Sequence, residues 1–377
     1  MTTPLLPTEK EYAALKSDEL GGRIEAVRQK FGKRLLILGH HYQRENVIRH
    51  SDLRGDSFFL SQAAAESKDC DAIVFCGVHF MAETADILAN SPEHLAERGG
   101  KRVTVSLPSL AAGCTMADMA TLAELETAWT EMGKHFNMER VIPVTYVNST
   151  AEIKAFCGRH GGLACTSSNA ATVLKWAFDQ GDRVLFLPDR MLGINTALKM
   201  GIPLDGMAVW SRNFSTLRAT SEENLPNCRV ILWDGFCGIH QRFTVEHIEQ
   251  VRKDHPGICV MVHPECNPAV VDKADKAGST SAIINAVAAS PPGSTWAIGT
   301  EWNLVDRLSK EYPDKLVINL APNPVVCPTM VKITPANLCY VLEHLAADDP
   351  VNVIVVEESV AADARICLNR MLYCQTS

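Results

Sequence analysis

Short apolar runs alternating with amphipathic segments set what this chain can fold into. The nine runs are Arg34–Leu38, Ala72–Phe75, Arg102–Val105, Val141–Val147, Arg183–Leu187, Arg229–Trp233, Ile258–Val262, Thr295–Ile298 and Lys315–Leu320. Each is short and rich in Val, Ile and Leu, as expected of a parallel strand covered by helices on both faces. The segments between them carry helix signals. Thr8 and Glu11 form a T-x-x-E capping box, and Ser149-Thr150-Ala151-Glu152 reads as another straight after a strand. Asn267-Pro268 reads as an N-cap with Pro at the first helical position, and Gly278 reads as the close of that helix. The alternation predicts an α/β protein with parallel sheets.

Length and charge narrow the function classes. At about 100–200 residues per domain, 377 residues make two or three domains. With 46% apolar and 21% charged residues, the composition suits a packed soluble protein. A net charge of −8 argues against a partner bound through a phosphate backbone, so no nucleic acid is expected. An anionic small substrate stays open, because local charge decides that. No stretch approaches the roughly 20 apolar residues of a membrane helix. The start, MTTPLLPTEKEYAALKSDELGG, is charged where a signal peptide is apolar. A cytoplasmic protein without membrane contact is the expectation, and disulfides are not expected there. The 13 cysteines contain no C-x-x-C. Any metal site must therefore draw on cysteines far apart in sequence.

A weak repeat singles out three of them. A strand, then a cysteine, then a helix-like segment recurs in VTVSLPSLAAGCTMADMA, VILWDGFCGIHQRFT and VINLAPNPVVCPTMVKIT, around Cys114, Cys237 and Cys327. Cys70, Cys76, Cys157, Cys228, Cys259, Cys339 and Cys367 lie in strand or helix patterns and read as small core hydrophobes. The three repeat cysteines lie in Gly- or Pro-containing loops. Three thiolates leave one iron of a four-iron cluster without a protein ligand, and such an iron can act as a Lewis acid. Gly201–Asn227 lacks clean periodicity and reads as an insertion.

Polar residues gather just after strands, where parallel α/β sheets bind ligands. They include His40-His41-Tyr42, Asp56-Ser57, Tyr146-Val147-Asn148, Thr166-Ser167-Ser168-Asn169, His263-Pro264-Glu265 and Ser279-Thr280-Ser281. Ser, Thr and Asn at helix starts can hold phosphate or carboxylate, and they are equally the preferred capping residues. His40, His41 and His240 suit proton transfer, or burial as core histidines. His263 and Glu265 fit an acid/base pair, part of a metal site, or a plain loop.

Taken together, LILGHHYQ, LRGDSFFLS, VFCGVHFMAETA, PSLAAGCTMADM, VTYVNSTAEIKA, CTSSNA, FLPDRMLG, GFCGIHQRFT, VHPECNPAVVDKADKAGSTSAII, IGTEWNLVDRL and CPTM, in that order, resemble the quinolinate synthase family of bacterial NAD biosynthesis. The likeness covers nearly the whole chain. It implies three similar α/β/α modules with parallel sheets in a pseudo-threefold triangle: residues 1–106 plus 328–377, residues 107–232, and residues 233–327. The chain end, Asn352–Met371, would return to the first module. The likeness also implies one [4Fe-4S] cluster held by Cys114, Cys237 and Cys327. The reaction implied condenses iminoaspartate with dihydroxyacetone phosphate to quinolinate, losing phosphate and two waters without net redox change. A transient handover from an iminoaspartate-producing enzyme is one possible partnership.

Matching the family motifs assigns the catalytic set His40, Tyr42, His240, His263 and Glu265. The substrate-binding set is His40, Asp56, Ser57, Tyr146, Asn148, Ser167, His263, Glu265, Ser279 and Thr280. Glu265 with His263 would act as base and acid, Tyr42 would shuttle a proton, and the neutral donors would hold phosphate and carboxylates. Some family members carry extra cysteines before the third ligand. Here Ala321–Val326 has none, so no disulfide switch is expected there. The long spacing between the first two ligands differs from compact members. Two other readings compete: a zinc hydrolase or lyase built on His40, His41, His263 and a carboxylate, and a non-catalytic iron–sulfur sensor. The first lacks an H-E-x-x-H motif. The second lacks a DNA-binding element.

Overall fold

The computed structural model describes residues 6–374, so the first five residues of the charged N-terminal stretch lie outside it. All nine apolar runs contain strands, and five more strands join them among the described residues, in three sheets. The first sheet contains β1 (Leu35–His40), β2 (Leu53–Gly55), β3 (Ala72–Cys76) and β4 (Thr104–Ser106), in the order β2-β1-β3-β4, all parallel. The second contains β5 (Val141–Tyr146), β6 (Leu163–Cys165), β7 (Arg183–Leu187), β8 (Met207–Ser211), β9 (Thr216–Ala219) and β10 (Val230–Trp233), in the order β6-β5-β7-β10-β8-β9. The third contains β11 (Cys259–Val262), β12 (Lys276–Ala277), β13 (Thr295–Gly299) and β14 (Leu316–Asn319), in the order β12-β11-β13-β14, again parallel. The chain is thus three α/β modules whose first three strands share the order second-first-third. In each, the order reverses beside the first strand, which opens a binding crevice at the carboxyl ends of the central strands.

The segment read as an insertion forms the edge of the second sheet. β8 pairs parallel with β10 and antiparallel with β9, in the register Ser211↔Thr216. The turn between them includes Ser215 at a φ of 47°. β8 is largely buried while β9 is half exposed, so this hairpin showed no single periodicity in sequence.

Helix caps follow sequence in part. Thr8 and Glu11 form their box, and Asn267 caps the helix Pro268–Lys273. Two expectations change. Thr150, not Ser149, is the N-cap of the helix Ala151–Arg159, because Ser149 Oγ instead donates to the Tyr146 carbonyl at 2.9 Å. Gly278 does not close the helix Pro268–Lys273, which ends at Ala274 before β12. Its hydrogen side chain serves close approach: a Cβ there would lie 2.8 Å from the Ala282 Cβ and 3.0 Å from the Met261 methyl.

The residues divide into two compact units. Residues up to Cys114 and Cys327–Glu357 form one, around the first sheet. Thr115–Val326 and the segment from Glu358 onward form the other, with the second and third sheets. Within the first unit the returning chain adds to the edge of β4: Leu107 N–H donates to the Asn352 carbonyl at 3.1 Å, and Ile354 N–H to that of Val105 at 2.8 Å. The last helix, Glu358–Tyr373, departs from the expectation that the chain end stays with the first module. It packs on the helix Ala151–Arg159 of the second sheet, because Gly158 lets the Asp363 backbone approach where any side chain would collide. Among the described residues no helix is long and apolar enough to cross a membrane.

Candidate active site and thiolate loops

The third module presents its polar residues at the end of β11. His263-Pro264-Glu265 leaves the sheet in a tight turn, where Glu265 N–H donates to His263 Nδ1 at 3.3 Å and Cys266 N–H to the His263 carbonyl at 3.0 Å. Both side chains are buried. One oxygen of Glu265 accepts Tyr146 Oη at 2.6 Å and the other lies 2.9 Å from His240 Nδ1. The rings of His240 and His263 stack at 4.4 Å. Burial alone would raise the Glu265 pKa. Attraction to His240 and His263, with the hydrogen bonds from His240 and Tyr146, outweighs it and holds the carboxyl well below the usual range. His240 Nε2 lies 3.2 Å from the buried Thr300 hydroxyl, so both of its ring nitrogens have partners inside the protein.

The other candidates of this unit occupy equivalent turns. Tyr146 and Asn148 end β5, and Asn148 Oδ1 is buried with no hydrogen-bond partner among the described residues. Ser167 sits in the turn before the helix Ala170–Gln180, where Asn169 Oδ1 accepts Thr166 N–H at 2.7 Å. Ser279 caps the helix Thr280–Ala289, accepting Ala282 N–H at 3.3 Å, and Thr280 is buried in its first turn. Ser167, Pro264 and Gly278 line one cavity of about 340 Å³, so three of these turns adjoin a common space.

In the first unit, His40 and Tyr42 end β1. Tyr42 N–H donates to His40 Nδ1 at 3.1 Å, the same i to i+2 bond as at His263, and the two rings meet edge to face at 4.8 Å. Half-buried His41 donates its N–H to the Gly55 carbonyl at 3.1 Å, which seats Asp56 and Ser57 beside the end of β1. Asp56 caps the helix Ser57–Glu66 by accepting Phe59 N–H at 3.0 Å.

The three repeat cysteines share one local design. Each lies beyond the last strand of its sheet in chain order, three residues before a 3-10 helix (Ala117–Met119, His240–Arg242, Met330–Lys332). Each lies seven residues before a threonine that caps the next helix through a capping box: Thr121, Thr244 and Thr334. Cys114, Cys237 and Cys327 are half-buried, whereas eight of the other ten cysteines are buried. Burial pushes the Cys76 thiol up to about 12 and raises Cys157, Cys165 and Cys266 well above the ordinary value, which makes them poor ligands. Cys259, read as core, is only half-buried. Donor atoms of Cys237, His240 and Glu265 lie within 4.8 Å of one another, so one cysteine loop borders the carboxylate turn.

Two residues at this junction were missed in sequence. Asp189 caps the helix Arg190–Lys199, accepting Leu192 N–H at 2.7 Å, and its other oxygen accepts Cys237 N–H at 3.2 Å. Burial, with the charge of Glu265, raises its pKa well above the carboxylate range. Only its N-cap position was readable in sequence. Thr300 gave no signal beyond following β13.

The comparisons extend these observations. The family model described as quinolinate synthetase A protein matches residues 22–373. The chain is 53% identical over 363 residues to the quinolinate synthase of Rhodopirellula baltica, covering 96% of this chain and 93% of that protein. It is 49% identical over 365 residues to the quinolinate synthase of Corynebacterium glutamicum, covering 96% and 89%. It is 48% identical over 363 residues to that of Geobacillus kaustophilus, covering 96% and 95%.

Proposed function

Because the chain belongs to the quinolinate synthetase A family, we propose that it forms quinolinate from iminoaspartate and dihydroxyacetone phosphate. Phosphate and two waters leave, and the atoms balance without an oxidant or reductant. The observation that carries this reading is the buried Glu265, bonded between Tyr146 and His240, beside the Cys237 loop.

Cys114, Cys237 and Cys327 would hold a [4Fe-4S] cluster. Soft thiolates suit iron–sulfur ligation, and the three shared loops leave these sulfurs half-buried where most others are sealed in the core. When bound, that cluster supplies a Lewis-acidic iron. The chain's own residues do the rest. Glu265, hydrogen-bonded to Tyr146 and beside His240, would act as base with His263 as acid around the amine and carbonyl. His263 then exchanges protons through Nε2, because Nδ1 accepts the Glu265 N–H. His240 orients Glu265, its ring nitrogens being directed to the carboxylate and to Thr300. Tyr42, fixed edge-on to His40, shuttles a proton during isomerisation or ring closure. Asn148 offers a buried acceptor to a substrate N–H or O–H. The hydroxyls of Ser57, Ser167, Ser279 and Thr280 would donate to phosphate and carboxylates at helix starts, while Asp56, an acceptor, would take a substrate hydroxyl.

The test is anaerobic purification of the wild type beside Cys114→Ser, Cys237→Ser and Cys327→Ser, with visible absorption and metal and sulfide content. A brown wild type with about four irons per chain, lost in each variant, supports the reading. Glu265→Gln and His263→Ala should then retain iron yet lose about 10²–10⁴-fold in quinolinate formation. A colourless protein carrying about one zinc would instead favour a single metal on Cys237, His240 and Glu265.

A further inference from the structure

The turn that carries Glu265 has three consecutive carbonyls held by side-chain amides. Asn195 Nδ2 donates to the Pro264 carbonyl at 2.7 Å and to the Cys266 carbonyl at 2.8 Å. Gln241 Nε2 donates to the carbonyl of Glu265 itself at 2.8 Å. Asn195 is buried, and it belongs to the helix Arg190–Lys199, which begins at Asp189. That helix therefore carries two anchors: Asp189 holds the Cys237 N–H at its start, and Asn195 holds the Glu265 turn six residues later. Gln241, four residues after Cys237, ties the two loops directly.

From this we infer that Asn195, assisted by Gln241, is a positioning residue for Glu265. An amide nitrogen has two hydrogens, and here they point to carbonyls two residues apart. Together the two amides fix the peptide planes on both sides of Glu265, and so the direction in which its carboxylate leaves the backbone. Without them the turn keeps its sequence but loses its fixed exit angle, and a displacement of about 1 Å at a reacting group can cost about 10²-fold in rate. The inference rests on the role given to Glu265 above.

The test compares wild type, Asn195→Ala, Asn195→Asp, Gln241→Ala, Glu265→Gln and the Asn195→Ala/Glu265→Gln pair, each loaded anaerobically. Asp keeps the shape of Asn but has no donor, so it separates hydrogen bonding from packing. Expected for both Asn195 variants is a kcat lower by about 10- to 100-fold with KM within about threefold. Iron content should be unchanged, and the backbone amides of His263, Glu265 and Cys266 should exchange faster by mass spectrometry. In the Glu265→Gln background, Asn195→Ala should cost no more than about twofold further, since both changes act through one group. Gln241→Ala should show a smaller shift in the same direction. Unchanged exchange at His263, Glu265 and Cys266, a kcat within twofold of wild type, or a full additional loss in the double variant would each overturn the inference. A wild type that forms no quinolinate would remove the functional reading instead, while the exchange measurement still decides the clamp.

Discussion

Glu343 and Glu265 are carboxylates that burial pushes up and partners pull down. Glu343 accepts two hydrogen bonds from Arg23, at 2.7 and 2.6 Å, and one from the Tyr12 hydroxyl. Burial raises its pKa, and the Arg23 and Tyr12 bonds outweigh that and leave it lowered. A carboxyl lowered on folding stabilises above its unfolded value, about 4.3. That contribution is lost as pH falls through the folded value. Glu343→Gln should therefore cost about 1–2 kcal/mol at pH 7 and much less at pH 3. Denaturant unfolding at the two pH values checks this, and an equal cost at both would contradict it. Asp189 shows the opposite outcome. Burial and the nearby charge of Glu265 outweigh the bonds it accepts from backbone N–H groups, and its pKa rises. Neither direction was readable from sequence, because residue type sets what a carboxyl can do and neighbours set what it does.

Among the elements, the pairing of the last helix with the helix Ala151–Arg159 is the clearest long-range contact. A Cβ on Gly158 would stand 2.0 Å from the Asp363 carbonyl oxygen. Arg370 reaches back to the carbonyls of Gly158 and Gly162 at 3.3 and 2.7 Å, and Arg159 pairs with Asp363 at 3.0 Å. Gly158→Ala should destabilise by about 1–3 kcal/mol through overpacking. Thermal melting and faster amide exchange in Glu358–Tyr373 would show it, and an unchanged melting temperature would refute it. The strands tell a complementary story. The nine read in sequence were legible because each lies in a short apolar run. β2, β6 and β12, of three, three and two residues, lie in none.

On the scale of the whole molecule, the chain order and the spatial grouping differ. The first compact unit closes only when Cys327–Glu357 returns to it, after the second and third sheets have been made. The second unit is completed by the helix Glu358–Tyr373, which buries Ala361, Ala364, Cys367, Leu368 and Met371. Leu368 and Met371 alone are worth about 1.5–3 kcal/mol each. Deleting residues 358–377 should therefore raise amide exchange in Ala151–Arg159 and β6 while leaving β1 and β3 protected. Equal loss across both units would contradict this separation.

The sequence by itself determined the α/β class, the nine principal strands and a few of the helix starts. These follow from periodicity and capping, which act over a few residues. It also marked the three cysteine loops, because a cysteine beside Gly or Pro after a strand is a local pattern, and the ordered motifs named candidate site residues through resemblance. Only the tertiary structure decided that the last helix leaves the first module. It alone joined Tyr146, His240 and His263 around Glu265, and placed Asp189 and Asn195 behind them. The reason is physical: a side chain's hydrogen-bonding capacity is carried by its residue type, but its partner and ionisation depend on packing between segments dozens of residues apart.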